Sequence, residues 1–229
     1  MTSIGNDAAI ARLPQAGWSG DVKVGPRGLP GRLSMPAQAR GVIVFAHGSG
    51  SSRNSPRNIH AAERLQEARF GTLLFDLLTD AEARDRGNVF DIPMLAGRVV
   101  EAVDWLCGQQ VCAGLPIGLF GASTGAAAAI VAATARPETV RAIVSRGGRP
   151  DLANAVLDRL RAPTLLIVGG ADTQTRALNW RAMLRMGCEA DLTIIANAGH
   201  LFEEPGALQE ALSHAVRWFE RHLRTERPS

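Results

Sequence analysis

Lysine is nearly missing from this chain of 229 residues. Lys23 is the single example, and every other basic side chain is arginine. The 25 basic residues are interspersed with 22 acidic ones for a net charge of +3, so no basic block or aromatic–basic ladder marks a nucleic-acid surface. Long apolar runs are also lacking. No window approaches the roughly 20 apolar residues needed to cross a bilayer, and Met1 to Pro14 carry no basic segment leading into an apolar core, as an export signal would. The three cysteines, Cys107, Cys112 and Cys188, form neither a CxxC pair nor an even set. They read as idle thiols in a reducing compartment. The glycine signature of dinucleotide binders, Gly-x-Gly-x-x-Gly, does not follow the first parallel strand, and the loop Gly48 to Arg53 lacks the Gly-Lys-Ser/Thr ending of a phosphate loop. His60, His214 and His222 show no tight ligand spacing. No metal, cofactor, nucleic acid or membrane partner is therefore expected, and the location expected is cytoplasmic.

What is present is an alternation of short apolar runs with longer amphipathic ones. Strands are expected at Val42 to Ala46, Thr72 to Phe75, Leu115 to Phe120, Val140 to Ser145, Thr164 to Val168 and Leu192 to Ala196. Ser55-Pro56 has the form of a helix start, with serine at the N-cap and proline at N1, and Gly71 is expected to cap that helix. Leu95, Val99, Val103 and Leu106 give helical spacing to the stretch from Ile92 to Cys107. Further helices are expected over Leu152 to Leu160, Gln174 to Met186 and Pro205 to Leu223. Two short strands near Asp21 to Val24 and Gly28 to Met35, joined by Gly25-Pro26-Arg27-Gly28, suggest an antiparallel hairpin at a sheet edge. Strands separated by helices mean a mainly parallel sheet covered on both faces. The α/β chain is expected to be one domain over residues 1–229, with 1–18 a loosely ordered extension. The segment between Ser145 and Pro163 is too short for a lid domain, so a shallow site preferring short acyl groups is expected.

The densest chemical signal is Ile117-Gly-Leu-Phe-Gly121-Ala-Ser123-Thr-Gly125 followed by four alanines. An apolar strand, Gly-x-Ser-x-Gly and a helix of small residues make a nucleophile elbow, which holds a serine hydroxyl exposed at a sharp turn. Active sites in parallel sheets lie at the C-terminal strand ends. Two other strand ends carry Gly169-Gly-Ala-Asp172 and Ala198-Gly-His200. Ser123, Asp172 and His200 then supply a nucleophile, an orienting acid and a general base. Asp151 is the best substitute acid, with Asp76 and Glu203 weaker ones. The oxyanion donors expected are the backbone N–H groups of Thr124, at the helix start, and Ser49, in the loop His47-Gly48-Ser49-Gly50. Arg53, Arg57, Arg146 and Arg149 fall in loops on the same side and could form an anion-attracting rim.

From Gly41 to the last helix this constellation resembles the α/β-hydrolase superfamily, and within it the dienelactone-hydrolase-like branch. The resemblance is carried by His47-Gly-Ser-Gly-Ser-Ser-Arg53, Gly121-Ala-Ser-Thr-Gly125, Gly169-Gly-Ala-Asp172 and Gly199-His-Leu-Phe-Glu-Glu-Pro205. It implies an α/β-hydrolase fold, with a mostly parallel eight-stranded sheet and helices on both faces. Named members use a cysteine nucleophile, whereas position 123 is serine. The expected activity is hydrolysis of a small, soluble ester, thioester or lactone through an acyl-enzyme, with an anionic substrate expected if the arginine rim forms. A catalytically silent binding module on the same fold is the rival. Oligomeric state is not legible.

Overall fold

The computed structural model describes residues 17–224. The expected loose extension lies outside these residues, except that Trp18 already opens the first strand. Eight strands form one sheet: β1 (Trp18–Val24), β2 (Leu29–Met35), β3 (Val42–Ala46), β4 (Gly71–Phe75), β5 (Ile117–Ala122), β6 (Val140–Arg146), β7 (Thr164–Gly169) and β8 (Ala190–Ile195), in the spatial order β1-β2-β4-β3-β5-β6-β7-β8. The β1–β2 hairpin is antiparallel and β2 pairs antiparallel with β4, while the pairs from β4 through β3 to β8 are parallel. All five residues of β3 are buried, because the sheet is covered on both sides.

Strand periodicity divides the core into two layers. Val42, Val44 and Ala46 point to one face, where α2 (Ile92–Cys107) and α3 (Thr124–Ala135) pack. Ile43 and Phe45 point to the other, with α1 (Pro56–Glu67) and α5 (Ala207–His222). A fifth helix, α4 (Thr173–Met183), follows β7. The alanines of α3, from Ala126 to Ala129, are fully buried, so this helix lies flush on the sheet.

Two expectations are corrected. Gly71 does not cap α1: the helix ends at Glu67, and Gly71 begins β4. A β-carbon there would come within 2.4 Å of Met35 Sδ, so the glycine serves close packing. The expected helix over Leu152 to Leu160 is instead two 3-10 turns, Pro150–Ala153 and Leu157–Arg159. Leu157 and Leu160 are both buried, and a 3-10 turn eclipses residues three apart, so it delivers both to the core.

The chain between β4 and α2 also forms two 3-10 turns, Glu82–Arg84 and Asn88–Phe90. Thr79 and Glu82 close the first reciprocally: the Thr79 N–H donates to Glu82 Oε2 at 2.9 Å and the Glu82 N–H to Thr79 Oγ1 at 3.2 Å. Arg98, on α2 and almost fully buried, donates to Glu82 Oε1 at 2.8 Å. This clamp fixes residues 76–91 as a cap beside the strand ends.

Glycine substitutions separate close packing from helix propensity. At Gly125 a β-carbon would lie 2.0 Å from the Ala46 carbonyl oxygen, whereas at Gly97, in α2, nothing lies within 4 Å. Gly125→Ala should destabilise by about 3 kcal/mol or more, and Gly97→Ala should stabilise by about 0.5–1 kcal/mol. Denaturant midpoints of the two variants check this pair of opposite signs.

Candidate active site

Ser123 stands between β5 and α3 with φ 50° and ψ −124°. That region costs a non-glycine residue on the order of 1–3 kcal/mol. Its neighbours enforce it. A β-carbon at Gly121 would come within 2.4 Å of Ala126 Cα, and one at Gly125 within 2.5 Å of the His47 carbonyl oxygen. The Ser123 carbonyl accepts from the N–H groups of Ala126 at 3.1 Å and Arg149 at 3.0 Å. The Ser123 hydroxyl does not cap the helix, so it is free for chemistry. Gly48 passes over it: a β-carbon at Gly48 would sit 3.5 Å from Ser123 Oγ.

Asp172 and His200 come together directly. Asp172 is the N-cap of α4, where its Oδ1 accepts from the Thr175 N–H at 3.1 Å. Its Oδ2 lies 2.7 Å from His200 Nδ1. Burial pushes this carboxyl upward, but the Thr175 hydroxyl and N–H, together with His200, outweigh it and hold Asp172 below the usual carboxylate range. An ionised Asp172 only accepts, so His200 Nδ1 is the donor and Nε2 is left as the base. Backbone bonds tie the two loops: Gly170 N–H to Ile195 O at 2.8 Å and Ala171 N–H to Ala198 O at 2.9 Å. Glu204 Oε1 accepts from the Gly199 N–H at 2.9 Å and steadies the turn before His200.

The segment after β6 joins this pair to the elbow. Gly147, at φ 52°, lies so close to His200 that a β-carbon would be 3.7 Å from its Cε1. Two residues on, Arg149 makes the hydrogen bond to Ser123 O. Among the described residues no hydrogen bond links Ser123 Oγ to His200, a contact that in free enzymes often tightens only around substrate. The substitute acids are all engaged elsewhere: Asp151 takes two bonds from Arg149 at 2.8 Å each, Asp76 takes Arg53, and Glu203 takes Arg57 at 3.2 Å.

Those same pairs engage three of the four arginines expected at the rim. Arg53, Arg57 and Arg149 are each neutralised by a carboxylate. Arg146 is buried against the Phe120 ring, 5.9 Å from its centroid. Burial, and then the nearby Arg57, push its guanidinium down to about 10. Arg146 alone of the four has no carboxylate partner among the described residues, and its Nη1 is buried without a hydrogen bond. The cysteines stay apart from the site, and burial, with Cys107 adding, pushes the Cys112 thiol up to about 12, a poor nucleophile.

The loop His47-Gly48-Ser49-Gly50 packs against the elbow. The Ser49 N–H donates to Thr124 Oγ1 at 3.1 Å, and Thr124 opens α3, where the first N–H groups have no partner within the helix. His47 anchors the loop. Its Nε2 accepts from the Leu77 N–H at 3.1 Å, so its Nδ1, 3.0 Å from Gly48 O, carries the proton. Next to these groups a cavity of about 250 Å³ opens under the cap, walled by Leu77, Leu78, Ala83, Val89 and Leu95. Segment 76–91 thus supplies a wall beside the elbow that the sequence analysis did not anticipate. Sequence reasoning missed this cap, although Thr79-x-x-Glu82 has capping-box spacing, and it missed Thr175, three residues after an N-cap aspartate.

The buried His47 makes the loop acid-sensitive. Burial lowers its pKa, outweighing the Gly48 carbonyl and Asp76, which favour the charged form. The unfolded chain therefore takes up this proton near pH 6.5 and the folded chain only at lower pH. The stability contribution is complete above pH 6.5 and is lost as pH falls toward the folded value. Melting temperature should drop between pH 7.5 and pH 5, and the drop should shrink in His47→Gln; thermal scans of both proteins at the two values measure it.

No family model matches the chain. A dienelactone hydrolase from Anabaena variabilis ATCC 29413 has a solved structure that is 51% identical, covering 91% of this chain and 98% of that one with a TM-score of 0.87. Est1E from Butyrivibrio proteoclasticus is 14% identical over 88% of this chain and 98% of its own, with a TM-score of 0.73, which supports the fold alone. Two Mycobacterium tuberculosis proteins, from strains CDC 1551 / Oshkosh and H37Rv, are each 53% identical over 208 residues and are provisionally named phosphoribosyl transferases. This chain spans 47% of their length, about half of each. With the eight-stranded sheet, the elbow at Ser123 and that 51% identity over nearly the whole of a solved dienelactone hydrolase, the chain belongs to the dienelactone hydrolase family of the α/β-hydrolase superfamily.

Proposed function

We propose that this chain is a serine hydrolase that cleaves a carboxylic ester, or a related thioester or lactone, of a small substrate. The observation that carries the reading is the 2.7 Å contact between His200 Nδ1 and Asp172 Oδ2 beside a strained serine whose hydroxyl no cap consumes. In this reading His200 Nε2 takes the Ser123 proton as Oγ bonds to the carbonyl carbon. The carbonyl π-electrons move to oxygen, which the Thr124 N–H receives at the N-terminus of α3. The Ser49 N–H is held by the Thr124 hydroxyl until the stronger acceptor forms beside it. The oxyanion collapses, the bond to the leaving alkoxide breaks, and His200 returns the proton to it. Water, activated by the same nitrogen, then releases the acid and regenerates Ser123. Asp172 stays ionised throughout and stabilises the imidazolium.

This sequence of steps needs no cofactor, and three unpaired thiols suit a cytoplasmic setting. The transferase name of the longer relatives attaches to proteins of twice this length. Nothing in the Ser123 site calls for phosphoribosyl transfer. A silent binding module would have no use for a dyad of this geometry next to a strained elbow.

Ser123→Ala should lower kcat by about 10³-fold or more while leaving the fold intact. Asp172→Asn should cost on the order of 10²- to 10⁴-fold, because the imidazole loses its tautomer and its counter-charge; Asp151→Asn should cost little. Thr124→Val, which leaves the Ser49 N–H without its acceptor, should reduce kcat by about tenfold, and Thr124→Ser should keep most of it. Steady-state hydrolysis of p-nitrophenyl butyrate by the folded variants measures all five. Full turnover by Ser123→Ala would remove the reading.

A further inference from the structure

His200 returns a proton to the leaving group, so the leaving group must lie on the His200 side of Ser123. The cavity of about 250 Å³ is bordered instead by Gly48 and by Ser49 and Thr124, whose N–H groups face the developing oxyanion in this reading. Its other walls come from the rest of that loop and from residues 76–95; Ser123, His200, Asp172 and Gly147 do not line it. A chain that enters it past Ser49 and Thr124 is the part of the substrate away from the His200 proton, and so the part left on the carbonyl carbon when the leaving group departs. We propose that this cavity is the acyl pocket, and that it selects neutral, apolar acyl groups of about six to eight carbons. The assignment rests on the serine-hydrolase reading and specifies its substrate class.

Size and chemistry set the class. A water-sized group takes about 30 Å³, so a cavity of about 250 Å³ holds on the order of eight non-hydrogen atoms. Leu77, Leu78, Val89 and Leu95 present hydrocarbon. The ionisable groups on its walls are His47, whose burial favours the neutral ring, Asp76, paired with Arg53, and the exposed Asp80. Among the described residues lining it there is no lysine or arginine, so an acyl chain ending in a carboxylate meets Asp80 with no counter-charge. The Glu82–Arg98 clamp keeps the cap in place, which gives the pocket a fixed depth rather than an adjustable one. Val89, half-buried on the second turn of the cap, is part of that wall.

The test varies one half of the ester at a time. With p-nitrophenol as the constant leaving group, kcat/KM should rise by about fourfold per methylene from acetyl to an optimum between hexanoyl and octanoyl, then fall for dodecanoyl and palmitoyl. Acetates of lengthening alcohols should show no such optimum. Val89→Phe should move the optimum two to four carbons shorter. A butyryl ester should react at least tenfold faster than the corresponding hemisuccinate. An optimum that follows the alcohol, or one that Val89→Phe does not move, would overturn the acyl-pocket assignment and leave the nucleophile untouched. Calorimetric binding of p-nitrophenyl acetate and hexanoate to Ser123→Ala reads the same pocket without turnover. Tighter binding of the hexanoate, weakened in Ser123→Ala/Val89→Phe, is expected; equal binding of the two esters would count against the pocket even if another residue proved to be the nucleophile.

Discussion

At Gly125 the first turn of α3 lies so close to the end of β3 that a methyl group would meet the Ala46 carbonyl oxygen at 2.0 Å. The site depends on this approach. A helix can start there only if the chain leaves β5 through one residue in an uncommon conformation, and Ser123 is that residue. The same approach sets Gly48 across the nucleophile and Ser49 against Thr124. The strained Ser123 and the Gly48–Ser49 loop beside it are thus consequences of one packing constraint between two backbones. The buried alanines of α3 allow it, since larger side chains would lift the helix from the sheet.

The histidine side of the site is held differently. Asp172 uses one carboxylate oxygen to start α4 and the other to orient His200, so helix capping and tautomer selection are done by one side chain. Backbone bonds between the ends of β7 and β8 fix the distance between the two loops, and Gly147 lets the His200 turn settle against the segment that also bonds Ser123 O. The ion pairs around the mouth spend the surface charge locally. The site is consequently more neutral than the number of arginines suggests, which agrees with the apolar cavity under the cap.

The elements with a strong period were legible in the sequence. The helix over Ile92–Cys107 and the strand over Val42–Ala46 lie where their apolar spacing puts them. Ser123, Asp172 and His200 could be singled out as candidates because each follows a strand end with a glycine close by, and the structure brings Asp172 and His200 into contact. The arginines were not: Arg149 and Asp151 are two residues apart in sequence, but Arg53 meets Asp76 and Arg57 meets Glu203 only across the fold. Composition counts charges and does not pair them. The cap was invisible for a related reason. Residues 79–91 are polar and mostly exposed, so their hydrophobic pattern is weak, and their fixed shape comes from one buried arginine contributed by the next helix.

The central claim is that Ser123 becomes covalently acylated. A fluorophosphonate added in slight excess, followed by intact-mass analysis, peptide mapping and residual-activity measurement, tests it most directly. The account predicts one adduct per chain, mapped to Ser123, with hydrolysis lost in proportion to labelling and no adduct in Ser123→Ala. Hydrolysis that persists in fully labelled protein, or an adduct mapped to another residue with equal loss of activity, would contradict it.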